Sequence, residues 1–131
     1  MNGKFLLDTN AIVALLNGNK TIENELKTAV WVGISVIGEL EFLAYSNLSD
    51  NDVQLFEAFK SRVNVVDVES AKRPLINTTL RLRKTYNIKL PDAIIAACAL
   101  EEQATLISND AVFPRINGLS LMTFQFTFPP Q

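Results

Sequence analysis

Five carboxylates in this chain sit where apolar runs end or turn. Phe5-Leu6-Leu7 runs into Asp8-Thr9-Asn10, the run Trp31 to Val36 delivers Glu39 and Glu41, and Thr105-Leu106-Ile107 runs into Ser108-Asn109-Asp110. Asp92 heads the run Ala93 to Leu100, which offers no polar face. Pro91 has its φ preset for the first helical position, so this segment reads as a buried helix with an anion at its mouth. One such acid is explained by the helix dipole, typically ~0.3–1 kcal/mol in the first turn. The recurrence is not. In an open α/β sheet, ligands gather outside the carboxyl ends of the strands, so acids leaving several strands can converge there. Their chemistry would be that of oxygen ligands for hard cations and of proton acceptors.

What the chain lacks narrows the options further. It has no histidine, which removes Ser-His-Asp and Cys-His catalysis, histidine-based ribonucleases and His-ligated zinc hydrolases. The five glycines, Gly3, Gly18, Gly33, Gly38 and Gly118, form no GxGxxG or GxxxxGK loop. Cys98, the single cysteine, falls inside the apolar helix and reads as a small core residue. If the chain is an enzyme, carboxylates and hard metal ions must carry the chemistry.

The elements that must position these acids alternate along the chain. The patterning predicts strands at 4–7, 31–35, 63–67, 104–107 and 119–123, with helices at 10–17, 21–29, 37–46, 50–60, 71–86 and 91–102 and a helical turn near 110–113. Ser49 with Asp52 resembles a capping box, and Val53, Phe56 and Phe59 follow at helical spacing. Strands interleaved with helices predict an α/β fold with a mostly parallel central sheet and helices on both faces. With 131 residues and 48% hydrophobic content, one domain spanning 1–131 is expected. The segment 123–131 reads as an edge strand or a loose tail. No apolar run reaches the roughly 18 to 20 residues of a membrane span, and no signal-type N-terminus is apparent, so a cytoplasmic protein is expected.

Four segments carry a family resemblance. Leu-Leu-Asp-Thr-Asn (6–10), Ile-Ser-Val-Ile-Gly-Glu-Leu-Glu-Phe (34–42), Leu-Pro-Asp-Ala-Ile-Ile-Ala-Ala (90–97) and Leu-Ile-Ser-Asn-Asp-Ala-Val-Phe (106–113) resemble, in order and spacing, the four acidic motifs of PIN-domain ribonucleases. The likeness is strongest to the VapC-type toxins of toxin–antitoxin pairs, and it runs from about residue 4 to about residue 122. It implies a single PIN-like domain and hydrolysis of RNA phosphodiester bonds by water bound to Mg²⁺ or Mn²⁺. Asp8, Asp92 and Asp110 would hold the metal, and Glu41 would position a second ion or accept a proton from the attacking water. Asn10 and the hydroxyls of Thr9 and Ser108 would orient the carboxylates. A small antitoxin partner and a homodimer are implied as well.

Two departures bear on that assignment. The family's second acid usually lies six residues after the strand's serine, which favours Glu41, yet Glu39 is also followed by leucine. Two helical positions differ by about 200°, so both side chains cannot face one site. Ser108 stands where the family often has threonine; the hydroxyl is kept.

Net charge is −2, but it is unevenly spread. Residues 60–89 hold eight basic and two acidic side chains, a net of +6, which leaves −8 elsewhere. This basic segment leads into Asp92 and offers Arg81, Arg83, Lys84 and Lys89 as candidate RNA-phosphate contacts, against the simpler reading of a solvated face. Phe124, Phe126 and Phe128 alternate with polar residues. A strand packing its own domain is favoured there over a dimer or antitoxin contact. Two other functions compete: a noncatalytic RNA-binding or scaffolding domain, and a receiver-type signalling domain. The latter needs an adjacent acidic pair at the first strand, whereas Leu6-Leu7-Asp8 supplies one acid.

Overall fold

The computed structural model describes residues 3–125. Its sheet has five strands in the order β3-β2-β1-β4-β5, formed by β1 Lys4–Leu7, β2 Trp31–Ser35, β3 Asn64–Val66, β4 Thr105–Ile107 and β5 Leu121–Met122. Every described pairing is parallel. The helices are α1 Thr9–Leu16, α2 Lys20–Leu26, α3 Val36–Leu43, α4 Asp50–Lys60, α5 Arg73–Tyr86 and α6 Leu90–Glu101. A 3₁₀ turn covers Phe113–Arg115.

Each central strand is buried on both faces. Phe5 and Leu7 of β1 join Ile12, Ile22, Ile34, Phe42 and Phe56 in one core, whereas Leu6 points to the other face with Leu75, Leu82, Ala96, Cys98 and Leu106. This period-2 alternation distributes one short strand between two helical layers. Phe42 of α3 stacks on Phe56 of α4 at 4.7 Å between ring centroids and joins those helices. Phe124 is buried in the first core; Phe126 and Phe128 lie outside the described residues. Among the described residues no helix is long and apolar enough to cross a membrane.

The order β3-β2-β1-β4-β5 places a topological switch between β1 and β4, because the chain builds outward from β1 to β3 and then returns to β1's other side. Crevices beside such a switch lie at the strands' carboxyl ends. Asp8 follows β1 there, and Ser108, Asn109 and Asp110 follow β4.

Several element ends differ from the sequence pattern for local reasons. The turn expected near 110–113 forms at Phe113–Arg115 instead, because the Asp110 carboxylate accepts the Val112 N–H and makes a side-chain turn first. Helix α5 starts at Arg73, with Pro74 in its first turn, and ends at Asn87 in the left-handed conformation, φ 53°. Helix α3 starts at Val36, its N-terminus capped by the Ser35 hydroxyl, and stops at Leu43.

Candidate active site

Asp8 is the point where β1 becomes α1. Its N–H donates to the Ile107 carbonyl at 3.2 Å, a bond from the end of β1 to the end of β4. Its Oδ1 accepts the Ala11 N–H at 2.8 Å, which makes Asp8 the N-cap of α1, and its Oδ2 accepts the Ser108 hydroxyl. The side chain is thereby fixed in a buried position. Burial pushes its carboxyl up to about 6; the bonds from Ser108 and Ala11 oppose that shift, and the charges of Asp110 and Glu41 add to it.

Ser108 is fully buried and joins two of the acids. Its hydroxyl donates to Asp8 while accepting the Asp110 N–H at 3.0 Å, and its own N–H continues the β4/β5 pairing to the Met122 carbonyl. Asp110 Oδ1 in turn accepts the Val112 N–H at 3.0 Å. The two acids at the ends of β1 and β4 thus share one hydroxyl between them.

Asp92 lies in the first turn of α6 and is half-buried. No side chain caps that helix, whose N-cap position is occupied by Lys89. The Asp92 carboxyl is held above its ordinary value by burial and by the neighbouring charges of Asp110 and Glu41, with Lys89 pulling the other way. Glu41 on α3 accepts a hydrogen bond from Thr9 Oγ1 at 2.6 Å, so the residue after Asp8 aims the acid of another helix. Glu39 is drawn elsewhere. It pairs with Lys60 of α4 at 2.6 Å.

Together Asp8, Glu41, Asp92 and Asp110 line one cavity of about 250 Å³, with Thr9 and Asn10 beside them and Ile95 and Phe113 as its apolar wall. Glu39 is not among the lining residues. Among the described residues, no three acidic or thiol side chains stand close enough to grip a bare metal ion outright. The acids surround a space instead of touching across it. A second cavity of about 460 Å³ shares Thr9, Asn10 and Glu41 with the first and opens between α1, α3 and α4 along Val13, Leu16, Tyr45, Leu48 and Leu55.

A sequence profile described as the PIN domain matches residues 5–119. The chain belongs to the PIN domain family. Among solved structures, this PIN domain is similar to VapBC2 from Rickettsia felis bound to a DNA fragment from its promoter, at 25% identity over 92% of this chain and 98% of that one, TM-score 0.78. It is similar to a toxin–antitoxin complex from Klebsiella pneumoniae at 26% identity over 88% and 95% of the two chains, TM-score 0.73. DNA-bound VapBC from Salmonella typhimurium shares the fold at 22% identity over 92% and 97%, TM-score 0.76. No curated protein sequence matches.

The basic candidates lie outside the PIN domain's acidic cavity. Arg81, Arg83, Lys84 and Lys89 are all exposed, and none lines it. Arg83 donates to the Ile88 carbonyl at 2.6 Å, bracing the link between α5 and α6. Lys89 comes closest in effect, through its charge on Asp92. Sequence reasoning missed two features here: the Asn109 side chain, which bonds to the backbone of Phe124, and the apolar cavity beside Glu41. The second shows in the structure as Tyr45, just after α3, and Leu55, on α4, both left exposed; no spacing in the sequence marks it.

Proposed function

We propose that this chain is a metal-dependent endoribonuclease and the toxin component of a type II toxin–antitoxin pair. The observation that carries the reading is the meeting of Asp8, Glu41, Asp92 and Asp110, from four separate elements, around one cavity at the sheet's switch point. The toxin–antitoxin proteins to which the chain is similar at 25 and 26% identity over nearly its whole length support the biological half.

The donor set fits Mg²⁺ or Mn²⁺. It consists of oxygen alone, and the cavity of about 250 Å³ has room for a cation that keeps part of its water shell, at ~30 Å³ per water. Carboxylates about 5 Å apart repel by ~3 kcal/mol per pair at an effective dielectric near 20, so a cation is the natural counter-charge. Bound there, such an ion supplies Lewis acidity and a water of lowered pKa. Asp8, Asp92 and Asp110 would hold it, Asp8 with the orientation set by Ser108 and the α1 backbone. Glu41, its Oε1 occupied by Thr9, would accept the proton of the water that attacks phosphorus, while the leaving ribose oxygen takes a proton from solvent water as its P–O bond breaks. Asn10, on the cavity wall, would help orient the carboxylates, and Arg81, Lys84 and Lys89 would hold flanking phosphates on the side of α5 and α6. Arg83 belongs to that surface while bracing it.

The partner would be a small antitoxin that brings a basic side chain to the acidic cavity, with the toxin paired as a homodimer in the cytoplasm. Incubation of the purified protein with structured RNAs, with and without Mn²⁺, tests the chemistry, with Asp8→Asn as control. Cleavage that requires both Mn²⁺ and Asp8 is expected. Metal-independent cleavage, or none under any condition, would overturn the enzyme in favour of a noncatalytic RNA-binding domain.

A further inference from the structure

The β4/β5 ladder ends in an unusual way. Leu106 N–H donates to the Ser120 carbonyl at 2.9 Å, and Ser108 N–H to the Met122 carbonyl at 3.0 Å. Continuing the parallel ladder by its two-residue step would send Asp110 N–H to the Phe124 carbonyl, and Phe124 N–H to the Ser108 carbonyl. Neither of those roles is filled by the backbone. Asn109 Nδ2 donates to the Phe124 carbonyl at 2.6 Å, and Phe124 N–H donates to Asn109 Oδ1 at 2.9 Å. The side-chain amide has one donor and one acceptor group in the arrangement of a peptide unit, and it serves as a surrogate rung.

The substitution releases Asp110. Its N–H turns inward to the Ser108 hydroxyl at 3.0 Å, and its carboxylate caps the Val112 N–H before entering the acidic cavity. The anchor is firm: Phe124 is buried in the core, and the next carbonyl, of Gln125, accepts the Asn19 side-chain amide at 2.6 Å. We propose that Asn109 is a positioning residue for the metal site, completing the sheet so that Asp110 can leave it and face the other acids. This rests on the metal-dependent reading for its effect on the ion, and on geometry alone for its effect on the backbone.

The test compares Asn109→Ala with Asn19→Ala, which loosens the same C-terminal segment and the α2 cap but leaves the rung intact. Two measurements are made: amide hydrogen exchange without metal, and Mn²⁺ binding by calorimetry. Asn109→Ala should speed exchange at Asp110 and Val112 roughly tenfold, a local opening that Asn19→Ala does not produce. It should also weaken Mn²⁺ binding by about tenfold or more, the usual effect of losing a group that orients a ligand. Asn109→Asp, which keeps the bond from Phe124 N–H, should show intermediate exchange. Equal exchange in the two alanine variants would overturn the inference, as would unchanged Mn²⁺ binding by Asn109→Ala. If the wild type itself binds no Mn²⁺, the metal reading fails, and the exchange comparison still decides what Asn109 does to Asp110.

Discussion

Ser108 and Asp8 are 100 residues apart in sequence and joined by a hydrogen bond in the interior, the hydroxyl donating to Oδ2. That bond opposes the rise that burial imposes on Asp8. Removing it in Ser108→Ala should raise the Asp8 carboxyl beyond about 6, so that the ionised form competent for metal appears only at higher pH. The pH midpoint of Mn²⁺-dependent cleavage should move upward, with a loss of about 1–3 kcal/mol in stability from the buried oxygen left without its donor. Ser108→Thr should restore both. A pH–rate profile of Ser108→Ala that overlays the wild type would show that the hydroxyl does not tune Asp8.

Glu39 and Glu41 differ by two positions and face different partners, Lys60 for the first and Thr9 with the cavity for the second. Glu41→Gln should lower kcat by ~10²-fold or more, the scale of lost proton transfer. Glu39→Gln should retain activity with little change in melting temperature, because its pair with Lys60 is partly open to solvent. Thr9→Val should resemble a milder Glu41→Gln. Kinetics and melting curves of the three variants check this, and the reverse ranking of the two glutamates would place the wrong acid in the mechanism.

Why some of this was legible in the sequence and some was not follows from how far each determinant reaches. Asp8, Asp92 and Asp110 could be found because each stands at the end of a local apolar run, and a strand or helix end is a local property. Helical rotation, also local, required that only one of Glu39 and Glu41 face the site, and the family's spacing after Ser35 chose Glu41. The Asn109 rung depends on where Phe124 lies after an intervening 3₁₀ turn and strand, and no spacing in the chain announces it. Arg83 is a similar case. Among its basic neighbours it reads as a phosphate contact, yet its guanidinium turns back to the Ile88 carbonyl five residues on. The shift of the last turn to Phe113–Arg115 has the same origin, a side chain, Asp110, taking a backbone's partner.

Arg81 and Lys84 are exposed on α5, three positions apart on one face of that helix. If they hold phosphates flanking the scissile bond, Arg81→Ala and Lys84→Ala should raise KM with little change in kcat. Each should also lower the slope of log affinity against log salt by about 0.7, the value for one single-strand phosphate contact. RNA binding titrated over a range of salt measures that slope. An unchanged slope in the double variant would leave these side chains as a solvated face.

The acidic cavity should make the metal-free fold sensitive to pH in a direction opposite to that of a salt-bridged acid. With Asp8 raised from 3.8 to about 6, the unfolded chain loses this proton first as pH rises, while the folded protein retains it. Stability is therefore greatest, as far as Asp8 is concerned, below 3.8, falls between 3.8 and about 6, and stays low above that. At about 1.36 kcal/mol per unit, the cost is on the order of 3 kcal/mol at neutral pH, and Asp92 adds to it in the same direction. Asp8→Asn keeps an oxygen to cap α1, so in EDTA at neutral pH it should melt at or above the wild type and flatten the pH dependence. Asp92→Asn should do likewise to a lesser degree. The wild type should recover stability with Mn²⁺, by ~2.7 kcal/mol at one hundred times Kd, and both variants should recover less. Thermal-shift titrations across pH and Mn²⁺ measure all of this. An Asp92→Asn protein clearly less stable than wild type in EDTA, with an undiminished response to Mn²⁺, would return Asp92 to the service of its own helix dipole.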